Sequence, residues 1–477
     1  MTMDPGKLRE RLRGIVRPLG SGAPVHPSSS DAPAAVGVEG EASGAPLQKA
    51  PAVVRASGVL ERVLGGEWRS RDGVRSFVVT RRFEADAPYG HGRVGDFAAR
   101  LTAAQGGASL LAAGTPRVPF IFFDLETTGL SGGAGTHAFL VGCSWFDDTG
   151  AFVVEQHLMA DYASERGMLT FVATDLAAAG ALVTFNGKSF DAPVIETRYL
   201  FHRLTSPCAL IPHVDVLHPA RRFWGGDPTL GCSLIALEQQ LLGARREGDV
   251  PGCEIPERYF QFIRSGDAQP LADVFEHNRL DLLSLAGLTA RLLTLVSAGA
   301  SATDDEREAY ALGRVYERAD ETGKAEHAFE RAVELASVAI ERGGRRRPSL
   351  EWVWTPQGIR AEAIRALALS ARRARRYSEA AARWRQLLGG QGCPPAFRRE
   401  ATEALAIHHE HRDRDLAAAR LFALESLDAG SEKAWGDAVR HRLARLERKL
   451  VTEQPSLPSL PSQQPCGSPR SGRRTSS

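Results

Sequence analysis

Four consecutive apolar residues, Phe120-Ile121-Phe122-Phe123, run directly into Asp124-Leu125-Glu126. A run of this kind is a buried strand, and a carboxylate at the exit of a buried strand is costly unless it is paired or coordinated. Side chains alternate along a strand, so Asp124 and Glu126 project from the same face. Two like charges there raise each other's proton affinity, and a divalent cation removes the conflict. Hard oxygen donors suit Mg²⁺ or Mn²⁺. An Asp-x-Glu alone is also compatible with a solvated strand end. The following Thr127-Thr128-Gly129 forms a compact loop that a nucleotide could approach closely.

Two further segments carry matching chemistry. In Thr184-Phe185-Asn186-Gly187-Lys188-Ser189-Phe190-Asp191 a strand ends at Asn186-Gly187 and a helix begins near Ser189. Asp191 then lies in a first helical turn, where a negative charge suits the dipole, either as a cap or as a third ligand. In His277-Asn278-Arg279-Leu280-Asp281 the imidazole and carboxylate stand at i and i+4 on one helix face, either as a surface pair or as a base beside a ligand.

Taken together, these segments resemble the DEDD exonuclease superfamily, and within it the YprB-type ribonuclease H-like domain, over residues 118–298. The stretches 185–193, 213–224 and 249–259 are similar to that family as well. The resemblance implies a mixed sheet flanked by helices, with Asp124, Glu126, Asp191 and Asp281 as ligands to two Mg²⁺ or Mn²⁺ ions. It further implies 3′-to-5′ hydrolysis of DNA or RNA, with His277 as the candidate base. The spacing departs from the known branches: His-x3-Asp combines the residue of one branch with the interval of another. Thr127, Asn186, Lys188, Asp215, Arg221 and Arg222 are candidate substrate contacts, Asp215 equally a structural residue.

The local pattern supports an α/β domain. Strands are expected at 76–83, 138–148, 151–159 and 181–187, and helices at 164–180, 189–204 and 275–296. Residues 138–159 read as a hairpin turning at Asp148-Thr149-Gly150. Residues 58–117 are a lead-in without a legible function. From 303 to 450 the chain reads as an all-α array of helical hairpins resembling tetratricopeptide repeats, with Tyr310, Gly313, Tyr316, Ala328 and Phe329 at large and small positions. Residues 1–57 and 451–477 are expected to be flexible, being rich in Ala, Gly, Pro, Ser and Arg.

Composition narrows the partners. The net charge of +2 gives no global drive toward nucleic acid, so such binding has to be local. Residues 341–400 hold fourteen Arg against five Glu, either solvated repeat faces or a basic track. Six scattered Cys without a CxxC pair exclude a disulfide scaffold and argue against structural zinc, with Cys143, Cys208, Cys232 and Cys253 read as core thiols. The most apolar stretch is interrupted by Asp281 and Arg291, which argues against a membrane span. A cytoplasmic, metal-dependent nuclease with a repeat domain for substrate or a protein partner is the expectation. A non-catalytic adaptor and a small-nucleotide phosphohydrolase are the alternatives.

Overall fold

A computed structural model of the chain describes residues 58–129, 135–225, 231–343, 352–390, 393–428 and 433–453. The segment 1–57 and most of the C-terminal tail lie outside the described residues.

The centre of the fold is a seven-stranded mixed sheet with helices on both faces. Its strands are β1 (Glu67–Arg71), β2 (Val74–Phe83), β5 (Phe120–Thr127), β6 (Ala138–Phe146), β7 (Phe152–Leu158), β8 (Ala181–Thr184) and β9 (His213–Asp215). They lie in the order β1-β2-β7-β6-β5-β8-β9. The first five are paired antiparallel, whereas β8 and β9 join β5 in parallel. A minor hairpin pairs β3 (Pro88–Tyr89) with β4 (Gly92–Arg93). The lead-in therefore supplies two strands of the main sheet, which extends upstream of residue 118. SFVVTRRF reads as a strand on its own, but its pairing with β7, about seventy to eighty residues away, is a nonlocal choice that no local pattern encodes.

Helices α1 (Val59–Leu64), α2 (Val94–Ala104), α3 (Glu165–Leu176), α4 (Asp191–Phe201), α5 (Leu217–Phe223), α6 (Leu234–Leu237), α7 (Ile255–Ser265) and α8 (Gln269–Ala298) complete this part. Helix α8 is long and apolar enough to cross a membrane, yet most of its apolar window is buried inside the fold. It crosses β5 and β6, where Gly142 makes the approach possible: a Cβ at that position would lie 2.5 Å from Asn278 Oδ1. Helix α3 stops at Leu176, short of the expected Gly180, whose backbone lies hard against the Arg117 carbonyl.

The C-terminal region consists of α9 (Glu306–Arg318), α10 (Thr322–Glu341), α11 (Pro356–Arg373), α12 (Tyr377–Leu388), α13 (Pro395–His408), α14 (Leu416–Asp428) and α15 (Lys433–Glu453), each packed on the next. The turns after α9 and α11 share one conformation, with Asp320 at φ 58° and Arg375 at φ 60°. Helix α15 runs to Glu453, so the first residues assigned to the tail are helical. Buried Glu308 ties this region to the α/β part, accepting from Trp224 Nε1 at 2.8 Å, Arg291 at 2.8 Å and Thr303 at 2.6 Å. Within the basic stretch, Arg365 pairs with Glu400, Arg373 with Glu317, Arg376 with Glu326 and Arg383 with Glu330. Three carboxylates from outside the window, Glu317, Glu326 and Glu330, thus offset part of its positive excess. Cys143 and Cys208 are buried as expected, whereas Cys253 is exposed and is not a core thiol.

Candidate active site

Strand alternation decides which face of the sheet carries the chemistry. Ile121, Phe123 and Leu125 enter the core on one side. Phe120 and Phe122 enter the core on the other, and Asp124 and Glu126 continue that second row. Helix α8 covers the same face. Its Asn278, fully buried, donates from Nδ2 to Asp124 Oδ2 at 2.8 Å and accepts from Gln156 Nε2 at 2.9 Å. Asp281, one turn further on, lies on the helix between the directions of His277 and Asn278.

Asp191 is delivered by the loop after β8. Asn186 takes φ 69°, a conformation that Asn tolerates, and Gly187 passes so close to Thr184 that a Cβ would lie 2.5 Å away. Asp215, at 3% exposure, fastens this loop by accepting from the backbone N–H of Asn186 at 2.8 Å, Lys188 at 3.0 Å and Leu217 at 3.1 Å. Of the two roles open to Asp215 this geometry matches the structural one: its oxygens are taken up by amides beneath the loop. Lys188 and Arg221 are exposed, Asn186 and Arg222 partly so, and Thr127 donates to the Gly129 carbonyl at 3.0 Å.

The four acidic residues meet electrostatically. Burial pushes the Asp124 carboxyl well up, and repulsion from Asp281, Glu126 and Asp191 adds to it against the Asn278 bond. Glu126 is pushed up in the same way by burial, Asp281, Asp191 and Asp249. Asp191 is raised to about 7, chiefly by burial, with Asp215 and Asp281 adding and backbone hydrogen bonds, including one from Leu125, opposing. Among the described residues no cationic side chain forms an ion pair with Asp124, Glu126 or Asp191. An all-oxygen donor set with uncompensated negative charge fits hard divalent cations.

Asp281 differs from the other three. Arg246 Nη2 lies 2.6 Å from its Oδ1, an oblique approach that pairs charge without an aligned hydrogen bond. His277 Nε2 lies 3.6 Å from its Oδ2. On the other side of the ring, His277 Nδ1 is 2.7 Å from Asp249 Oδ1. Burial works to raise the Asp249 carboxyl, but its hydrogen bond with His277 and the Arg246 guanidinium outweigh it and hold it below its ordinary value. Sequence reasoning missed Asn278, Asp249 and Arg246. Asn278 stands inside the His277–Asp281 motif and Asp249 inside a stretch already noted, so only their roles were hidden. Tyr259 is fully buried, its hydroxyl donating to the Met159 carbonyl, and Tyr162 is exposed against His137.

Beside the carboxylates opens a cleft of about 710 Å³ lined by Glu126, Thr127, Phe190, Asp191, Val194 and Ile255, among others. Phe190 is 51% exposed although it adjoins Asp191. Glu155, His157 and Asp175, whose ligand atoms lie within 4.8 Å of one another, belong to the opposite face of the sheet. Their carboxylates are engaged locally, Glu155 by Arg69 at 2.9 Å and Asp175 by the His157 ring at 2.6 Å.

Residues 121–293 match the family model of the ribonuclease H superfamily. The chain is also similar to the uncharacterized protein YprB of Bacillus subtilis strain 168, with 33% identity over 346 residues, 72% of this chain and 77% of the relative.

Proposed function

Because the chain belongs to the YprB family and carries a ribonuclease H superfamily domain, we propose that it is a DEDD-type nuclease that removes nucleotides from the 3′ end of DNA or RNA. What supports this reading is the mutual repulsion of Asp124, Glu126, Asp191 and Asp281, each of the first three pushed up by its acidic neighbours and without a cationic partner among the described residues. Two divalent cations, Mg²⁺ or Mn²⁺, would supply there the charge that makes water nucleophilic and stabilises the leaving oxygen.

The chain's own residues set up the rest. Asn278 fixes the rotamer of Asp124 through its 2.8 Å bond. Asp215 holds the Asn186–Asp191 loop, and with it Asp191, at the strand end. The cleft is sized for a nucleotide end, and Phe190 offers an exposed ring on which a terminal base stacks without regard to its identity. His277 Nε2 accepts the proton of the attacking water. Lys188 and Arg221 are exposed and meet phosphates. The helical hairpins are tetratricopeptide-like and hold substrate or a protein partner.

The test uses 5′-labelled single-stranded DNA and RNA with the full chain and each cation. The expected result is a ladder shortening from the 3′ end with Mg²⁺ or Mn²⁺, lost in Asp124→Asn. Absence of cation-dependent degradation, or full activity in Asp124→Asn, overturns the reading.

A further inference from the structure

The His-x3-Asp spacing leaves open how an imidazole at position 277 is aimed. On a helix, side chains at i and i+4 lean along the same face, so nothing in the motif alone turns the ring toward a substrate. The surroundings of His277 supply what the motif lacks.

The ring is 7% exposed and is gripped on one side only. Asp249 Oδ1 stands 2.7 Å from Nδ1. A carboxylate is an acceptor, so this contact places the proton on Nδ1 and leaves Nε2 as the lone-pair nitrogen of the neutral ring. Nε2 faces Asp281 Oδ2 at 3.6 Å, too far for a hydrogen bond and on the side of the acidic cluster. Asp249 is itself anchored. Arg246, with a side chain only 3% exposed, reaches Asp249 at 3.1 Å, Glu238 at 2.7 Å and Asp281 Oδ1 at 2.6 Å. Tyr89 of the lead-in hairpin donates to Glu238 at 2.6 Å and closes the base of this network. Because Arg246 occupies Oδ1, Asp281 offers mainly Oδ2 to the shared pocket, next to His277 Nε2.

We propose that Asp249, held by Arg246, is a positioning residue that fixes the His277 tautomer and points Nε2 at the nucleophilic water of the phosphodiesterase site. The inference rests on the nuclease reading and adds to it a part that neither the resemblance nor the comparisons assign. Asp249 acts through His277 and does not touch the reacting atoms. The network also gives the 58–117 segment a role, since Tyr89 supports the loop that carries Arg246.

The experiment compares wild type, Asp249→Ala, His277→Ala and the double variant in the full chain, with two readouts. Steady-state kinetics with Mn²⁺ should show kcat reduced about 10- to 100-fold in Asp249→Ala, with KM and calorimetric Mn²⁺ affinity within about twofold of wild type. In the His277→Ala background the second substitution should cause no further loss. The independent readout is ¹⁵N-histidine NMR, in which the His277 resonances are identified by their loss in His277→Ala. Wild type should show a protonated Nδ1 and an unprotonated Nε2, and Asp249→Ala should shift the ring toward the Nε2–H form. Multiplicative losses in the double variant, a parallel loss of Mn²⁺ affinity, or an unchanged tautomer in Asp249→Ala overturns the proposal. If wild type degrades no nucleic acid, the nuclease reading fails by itself, and the tautomer measurement still decides whether Asp249 sets the ring.

Discussion

Replacing Asp191 with Asn should stabilise the cation-free protein while removing its activity. The fold raises this carboxyl from an ordinary 3.8 to about 7. At about 1.36 kcal/mol per tenfold change in proton affinity, keeping it ionised above that range costs about 4 kcal/mol. Its proton is shared with a crowded cluster, so about half of that, some 2 kcal/mol, is the gain expected from the neutral isostere. The sign follows from proton linkage. Between pH 4 and 7 the folded state binds more protons than the unfolded chain, so wild-type stability falls as pH rises through this window. The advantage of Asp191→Asn should be absent near pH 4 and complete above pH 7, amounting to about 2 °C in Tm. Thermal unfolding at pH 5 and pH 8, in EDTA and then in Mn²⁺, is the assay. Mn²⁺ should raise the Tm of wild type at pH 8 and do far less for the variant. A variant less stable than wild type at pH 8 without cations, or one with an undiminished Mn²⁺ increment, refutes the reasoning.

Other substitutions probe separate parts of the argument. Gly142→Ala puts a Cβ 2.5 Å from Asn278 Oδ1 and 2.7 Å from Leu282; it should cost about 1–3 kcal/mol in denaturant unfolding and lower activity, and unchanged stability would refute the close approach of α8. Glu165→Gln disrupts a buried pair in which Arg198 lies 2.6 Å from both carboxylate oxygens, with His202 at 2.7 Å. A loss of about 3–5 kcal/mol in urea unfolding is expected, and a neutral result would count against that network. Phe190→Ala should raise KM for a single strand about tenfold through the lost stacking without altering calorimetric Mn²⁺ affinity; an unchanged KM would show that the exposed ring does not meet the substrate.

The parts of the molecule written in local pattern were legible in the sequence. The apolar run into Asp124 is β5, the Asp-Thr-Gly turn joins β6 to β7, and the regions expected to be helical hairpins are paired helices. The candidate ligands Asp124, Glu126, Asp191 and Asp281 lie near enough to raise one another's proton affinity; alternation puts the first two on one face, and helix periodicity puts the last beside His277. What stayed hidden depends on contacts far apart in the chain. Nothing in β2 announces β7 as its neighbour, and nothing in DVPGC shows that Asp249 bonds an imidazole 28 residues onward. The Arg-rich stretch is only partly legible for the same reason, since three of its counter-charges, Glu317, Glu326 and Glu330, lie on helices outside that window.

Anomalous diffraction from Mn²⁺-soaked crystals tests the account at its centre. It predicts scattering peaks about 2.1 Å from oxygens of Asp124 and its three acidic neighbours, abolished in Asp124→Asn. A saturated soak that leaves this pocket without a peak in the wild-type protein would contradict it.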